Sequence, residues 1–185
     1  MIAGPNSTVG WRRTSDLSES YLIALGSNRR HGEHGRPHAV VHAAMEELSA
    51  LGTVRDRSPV IASAPVGPAQ RRFANAVAVL ETDLLPPDLL RKLKRLEHAF
   101  GRRRGQAWGD RVLDLDIALW SGGTWRSRDL AIPHRGLAAR GFVLDPAMAI
   151  ASDWQAVTGG LALRHLHARL TRPRPLPREP LWSGR

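Results

Sequence analysis

The chain has 185 residues, 42% of them hydrophobic, and no cysteine; this allows one packed domain and excludes disulfides and thiolate metal sites. No uncharged apolar run reaches the roughly 18 residues that would suggest a membrane span, and the amino terminus lacks the apolar core of a secretory signal, so a cytoplasmic location is expected. The formal net charge is +10, of which about +7 falls between Tyr21 and Thr171; a body this basic suits a polyanion, whether nucleic acid, nucleoside triphosphate or phosphorylated metabolite, without choosing among them.

Residues 1–19 are rich in Ser, Thr, Gly and charged types and read as a tail. YLIALGS, residues 21–27, is an apolar run ending in a turn, which predicts a buried strand. Pro37 to Leu51 predicts a helix, with Pro at its start, Val40, Val41, Ala44, Met45 and Leu48 on one face, and Gly52 as its stop. Val54–Ala62 and Phe73–Thr82 predict a strand pair joined by a long Pro- and Gly-containing loop. Pro87 to Phe100 keeps helical spacing through Leu89, Leu90, Leu93, Leu96 and Phe100, and Gly101 ends it. Residues 111–120 predict a fourth strand, helices are expected near Gly141–Ile150 and Leu161–Leu170, and residues 171–185, alternating Pro with Arg, form a second tail. The order strand, helix, strand, strand, helix, strand implies an α+β domain over residues 20–170: a ferredoxin-like split βαβ core whose antiparallel sheet is flanked by helices in α/β/α layers.

The fourth strand, within WGDRVLDLDIALW, carries the chemistry. Its apolar residues Leu113, Leu115, Ile117 and Leu119 alternate with Asp114 and Asp116, so both carboxylates project from one face, roughly 6 to 7 Å apart. Two such anions require a nearby cation. Arg111 and the run Arg102–Arg104 make a salt-bridged strand end one reading. The other is Mg²⁺, a hard ion held by one or two carboxylates together with substrate phosphates, for which the same arginines and the segment bearing His134, Arg135 and Arg140 supply phosphate-binding groups.

Five ordered blocks, LGSN (25–28), APVGPAQRRFANAV (64–77), LEHAFGR (96–102), WGDRVLDLDI (108–117) and IPHRGLAARGFVL (132–144), closely resemble the 6-hydroxymethyl-7,8-dihydropterin pyrophosphokinases of folate synthesis. The resemblance implies transfer of pyrophosphate from ATP to the pterin hydroxymethyl group, with AMP released. It also implies two Mg²⁺ ions held by Asp114 and Asp116, with Arg102 and Arg111 completing the catalytic set. ATP contacts implied in the same way are Arg102, Arg104, Trp108, Arg111, His134 and Arg140, with Ile117 and Leu130 lining the adenine pocket. The implied pterin site comprises Ser63, Ala64, Pro65, Val66 and Gly67, the sandwiching pair Phe73 and Phe142, Asn75, and Trp108 closing over it. The expected partners are ATP and 6-hydroxymethyl-7,8-dihydropterin, with neither nucleic acid nor membrane, for a monomer. The chain departs from the usual family pattern at Ser63-Ala64, Ala107 and Arg135, and its arginine loop is slightly shorter.

Two readings of other classes compete. A nucleic-acid binder with a ferredoxin-like sheet predicts exposed sheet aromatics in an RNP-like pattern, which the sequence lacks. A metal-dependent nuclease would use Asp114 and Asp116 but leaves Asn75, the two phenylalanines and the PVGP loop without a role. The histidines of residues 31–42 read as a solvated loop and early helix in preference to a metal site.

Overall fold

The first apolar run forms β1, Glu19–Ser27, and it becomes the pivot of the sheet because both of its edges are paired. The computed structural model describes residues 18–65, 71–101, 110–157 and 159–173. The elements that follow are α1 (Pro37–Glu47), β2 (Thr53–Arg57), β3 (Ile61–Ser63), β4 (Phe73–Thr82), α2 (Pro86–Ala99), β5 (Asp114–Trp120), the short hairpin β6 (Trp125–Arg126) and β7 (Ala131–Ile132), α3 (Gly141–Ala147) and α4 (Leu163–Thr171). The main sheet runs β2-β4-β1-β5, all antiparallel, with β3 extending beside β4. This is the ferredoxin-like order that a split βαβ repeat produces.

Helices cover both faces. Side chains of β1, β4 and β5 that point one way (Tyr21, Ile23, Leu25, Ala78, Leu115, Ile117) pack with Val41, Met45 and Leu48 of the first helical segment and Leu89 and Leu93 of α2. Those pointing the other way (Leu22, Val77, Val79, Leu119) pack with Val143, Leu144 and Ala147 of α3 and Leu163 of α4. The alternation of β1 is thus split between two cores, as an interior strand requires. Among the described residues no helix is long and apolar enough to cross a membrane.

Several boundaries differ from the sequence-based expectation. The first helix is α-helical only to Glu47, and Leu48–Leu51 tightens into a 3₁₀ turn. The strand expected over Val54–Ala62 is two strands, because Pro59 has no N–H to donate. Ser58 bridges the gap: its N–H donates to the Val77 carbonyl at 3.0 Å, and its Oγ accepts the Val77 N–H at 2.9 Å. The second helix starts one residue early, at Pro86. The fourth strand begins at Asp114, not at residue 111, since Asn28 engages the Arg111 backbone on both sides, donating to its carbonyl at 3.0 Å and accepting its N–H through Oδ1 at 2.6 Å.

The strict alternation expected along this strand also fails. Leu119 faces the α3 and α4 core opposite Leu22, whereas Leu115 and Ile117 face α1 and α2, because the β1–β5 register skips Ala118. Ala118 is the additional residue of a β-bulge, and such an insertion reverses the facing of everything beyond it.

Candidate active site

The carboxylates of Asp114 and Asp116 lie on the α3 side of the sheet, in cross-strand rows with two small residues of β1. Asp114 is opposite Gly26, which is opposite Asn75; Asp116 is opposite Ala24. Gly26 and Ala24 leave the sheet low between the carboxylates and Asn75, and a Cβ placed on Gly26 would come within 3.2 Å of Asn75 Oδ1. Above this floor is a cavity of about 660 Å³, walled by Ser63, Ala64 and Phe73 on one side, by Arg111, Asp114 and Asp116 on the other, and by the segment from His134 to Val143 above. A volume of this order suits a small molecule held between polar anchors and apolar walls.

The bulge helps assemble this site. The Ala118 carbonyl accepts the backbone N–H of His134 at 3.0 Å, which ties the PHRG turn to the aspartate strand. His134 Nδ1 accepts the Gly136 N–H at 3.0 Å, so the neutral ring carries its proton on Nε2, 3.9 Å from Asp116 Oδ2. Burial first, and the neighbouring Arg140 guanidinium second, push the His134 pKa down, outweighing the pull of Asp116 and Asp114. Arg140 lies across Gly136, where a Cβ would fall 2.8 Å from its Nε, and reaches Asp116 Oδ2 at 3.3 Å. It also packs over the ring of Phe142, 5.6 Å from the centroid.

Each aspartate is held by cations. Arg111 Nη1 bonds Asp114 Oδ1 at 2.5 Å, and Lys94 Nζ stands 4.0 Å from Asp116 Oδ1 in addition to Arg140, with the neutral His134 ring also beside that carboxylate. Both carboxylates remain partly exposed, at 25% and 31% of their side-chain surface. Two carboxylates with neither thiolate nor an imidazole lone pair offered beside them form an all-oxygen donor set, which fits a hard divalent ion such as Mg²⁺. The arginines around them fit phosphate oxygens.

Arg111, Asp114, Asp116, His134, Arg140, Ser63, Ala64, Phe73, Asn75 and Phe142 all line the one cavity. Asn75 is nearly buried and donates through Nδ2 to Ser63 Oγ at 2.8 Å. Ile117 and Leu130 do not line it: Ile117 belongs to the opposite face of β5, and both are buried in the α1 and α2 core. Arg102, Arg104, Trp108, Val66 and Gly67 lie outside the described residues.

The sequence reading did not assign roles to Asn28, Gly26 or Glu97. Asn28, 2% exposed, also donates to Asp110 Oδ1 at 2.7 Å and so clips the start of the aspartate segment to the end of β1. Its signal was a polar amide directly after a buried strand. The histidine cluster has a different task. His31, Glu33 and His34 bring ligand atoms within 4.8 Å of one another. The His31 Nδ1 lone pair, however, already accepts the N–H groups of Glu33 and His34 at 3.2 Å, and both rings pack on Phe100. They fold the loop onto the end of α2, outside the cavity lining.

Residues 22–152 match a family model described as 7,8-dihydro-6-hydroxymethylpterin-pyrophosphokinase (HPPK). The 2-amino-4-hydroxy-6-hydroxymethyldihydropteridine pyrophosphokinase of Haemophilus influenzae is 41% identical over 134 residues, which is 71% of this chain and 81% of the relative. That of Pseudomonas aeruginosa is 40% identical over 153 residues, 81% of this chain and 89% of the relative. Among solved structures, a Plasmodium falciparum HPPK-DHPS triple mutant with SDX-DHP has a TM-score of 0.62 at 13% identity, covering 82% of this chain and 44% of that longer one, a likeness of fold.

Proposed function

The chain belongs to the 7,8-dihydro-6-hydroxymethylpterin-pyrophosphokinase family, and from that premise we propose how its cavity carries out the ATP-dependent diphosphotransfer of folate synthesis. The pterin hydroxymethyl oxygen attacks the β-phosphorus of ATP. The bond from that phosphorus to the oxygen bridging the α-phosphate breaks, AMP leaves with that oxygen, and the hydroxyl proton is released. The observation that carries this reading is the joining of two chemistries in one space: paired carboxylates among arginines on one wall, and an amide with two phenyl rings on the others.

Asp114 and Asp116 would hold two Mg²⁺ ions, which neutralise triphosphate charge and align it for in-line transfer. Arg111 and Arg140 turn from the carboxylates toward phosphate oxygens, where bidentate guanidinium contacts orient the chain and offset charge that grows during transfer. His134, neutral at physiological pH, donates from Nε2 to the nucleotide. On the other side Asn75 reads the polar edge of the pterin while Phe73 and Phe142 pack on its faces, a contact that orders few rotatable bonds. Arg102, Arg104 and Trp108 complete the ATP site from the arginine loop, and Ser63–Gly67 bound the pterin. The protein acts as a cytoplasmic monomer.

A nucleic-acid binder of the same topology would need an open sheet face. Here α1 and α2 cover one face and α3 and α4 pack on the other, which favours the enzyme. Incubation with Mg²⁺, ATP and 6-hydroxymethyl-7,8-dihydropterin tests the reading: AMP is expected in one-to-one yield with the pterin diphosphate. ADP, or no nucleotide product, would overturn it.

A further inference from the structure

β5 is an edge strand, so alternate backbone groups along it face away from β1 and need partners elsewhere. At Leu115, the residue between the two aspartates, both are satisfied by side chains of α2. The Leu115 N–H donates to Glu97 Oε1 at 2.7 Å, and the Leu115 carbonyl accepts from Lys94 Nζ at 3.0 Å. Lys94 and Glu97 close the bracket by bonding each other at 2.6 Å. Glu97 is 0% exposed and shares the inward stripe of α2 with Leu89 and Leu93. A fully buried carboxylate at a position the helical period reserves for an apolar side chain is a poor way to gain stability, since desolvation cancels most of what the ion pair contributes. It is a good way to fix one short piece of backbone.

We infer that Glu97, with Lys94, is a positioning residue for the pyrophosphoryl transfer, holding the Leu115 peptide groups so that the carboxylates on either side aim into the cavity at a fixed spacing. The inference rests on the reading of Asp114 and Asp116 as the metal-holding pair. Lys94 ties the bracket to the site a second time, standing 4.0 Å from Asp116 Oδ1.

The test uses the full chain and the variants Glu97→Leu, Glu97→Gln and Lys94→Met. In metal-free protein, Mg²⁺ titration with ATP present, followed by NMR of the Asp114 and Asp116 amides, is expected to show affinity about tenfold weaker in Glu97→Leu. The Leu115 amide should exchange faster with solvent in that variant. In the AMP-forming assay kcat falls by a similar factor with the pterin KM unchanged. Glu97→Gln, which keeps an oxygen for the Leu115 N–H, recovers most of both. A purely structural bracket would lower the melting temperature while leaving Mg²⁺ affinity and kcat of the folded protein as in the wild type, and that result overturns the inference. Should Glu97→Leu not fold, Lys94→Met decides: a weakened Mg²⁺ affinity supports the bracket, an unmoved one overturns it. Wild-type protein whose aspartate amides do not respond to Mg²⁺ would overturn the metal reading and this inference together, whereas a wild-type response unmoved in the variants removes the inference alone.

Discussion

Tyr21 is the chain's single tyrosine, fully buried, with its hydroxyl donating to the Leu84 carbonyl at 2.6 Å and its ring stacked on Trp120. Burial, reinforced by the negative charge of Glu19 and Asp88, pushes its phenol well above the ordinary value of 10.0. The folded state therefore keeps the proton where the unfolded chain has lost it. The contribution to stability is fully present below pH 10.0 and declines as pH rises beyond it. Tyrosinate absorbance is expected to appear only together with loss of the folded circular dichroism signal; a phenol that ionised near its ordinary value with the fold intact would contradict this account. At the site, Asp116→Asn removes the anion that Arg140, His134 and Lys94 surround. Because Asp116 is partly exposed, the fold should lose no more than about 1 kcal/mol, while the role in holding Mg²⁺ proposed for it predicts that AMP formation drops by about two orders of magnitude. Urea midpoints and single-turnover assays on one preparation separate the two effects.

Two positions, one on β1 and one in the gap between β2 and β3, test how the sheet is built and how it shapes the cavity. Gly26 forms the floor between Asn75 and Asp114, and the 3.2 Å approach of an added Cβ to Asn75 Oδ1 makes even alanine tight. Gly26→Val is expected to raise the pterin KM about tenfold or more while leaving the fold cooperative, since β-branched residues suit a strand. Fluorescence titration with the pterin checks it. Between β2 and β3 the Ser58 Oγ does what a ladder carbonyl would otherwise do, accepting the Val77 N–H. Ser58→Ala leaves the Val77 N–H of β4 without its acceptor inside the sheet, at a cost of about 1–3 kcal/mol read from the urea midpoint. These elements differ in how far the sequence discloses them. Proline, glycine and alternating apolar residues mark strands and helices from near-neighbour chemistry, so β1, β4 and α2 are legible almost to the residue. The bulge at Ala118 is not, because Ala-Leu-Trp continues an unbroken apolar run and only the β1–β5 register reveals the skipped residue. Glu97 is hidden for a related reason: on a charged helix a glutamate reads as solvated, and its burial depends on an edge strand 18 residues away.

At the scale of the molecule, one sheet separates two cores that do different work. The α1 and α2 core is the larger mass of aliphatic packing, and the α3 and α4 core adjoins the cavity, to which Phe142 and Val143 contribute directly. The strand-helix-strand order made this layering legible, and the blocks around Asn75, Asp114 and His134 made the carboxylate and aromatic walls legible too. The Arg111–Asp114 pair was legible from their spacing along the chain, whereas the pairing of Asp116 with Arg140 and Lys94 was not, since it is set by how α2 and the segment before α3 meet the sheet. The layering predicts that stability and substrate binding can be uncoupled by choosing the core to be cut. Leu48→Ala, at a fully buried position against α1, creates a void on the side remote from the site and should cost about 2–5 kcal/mol. The folded fraction should then bind ATP and pterin as the wild type does. Leu144→Ala, equally buried but within α3 beside Phe142 and Val143, should cost a similar amount and also raise the KM for both substrates. Chemical denaturation together with steady-state kinetics on the two variants gives the comparison. Equal KM values in both would mean that the α3 wall is held by the PHRG turn and the Arg140–Asp116 contact, independently of the packing beneath it.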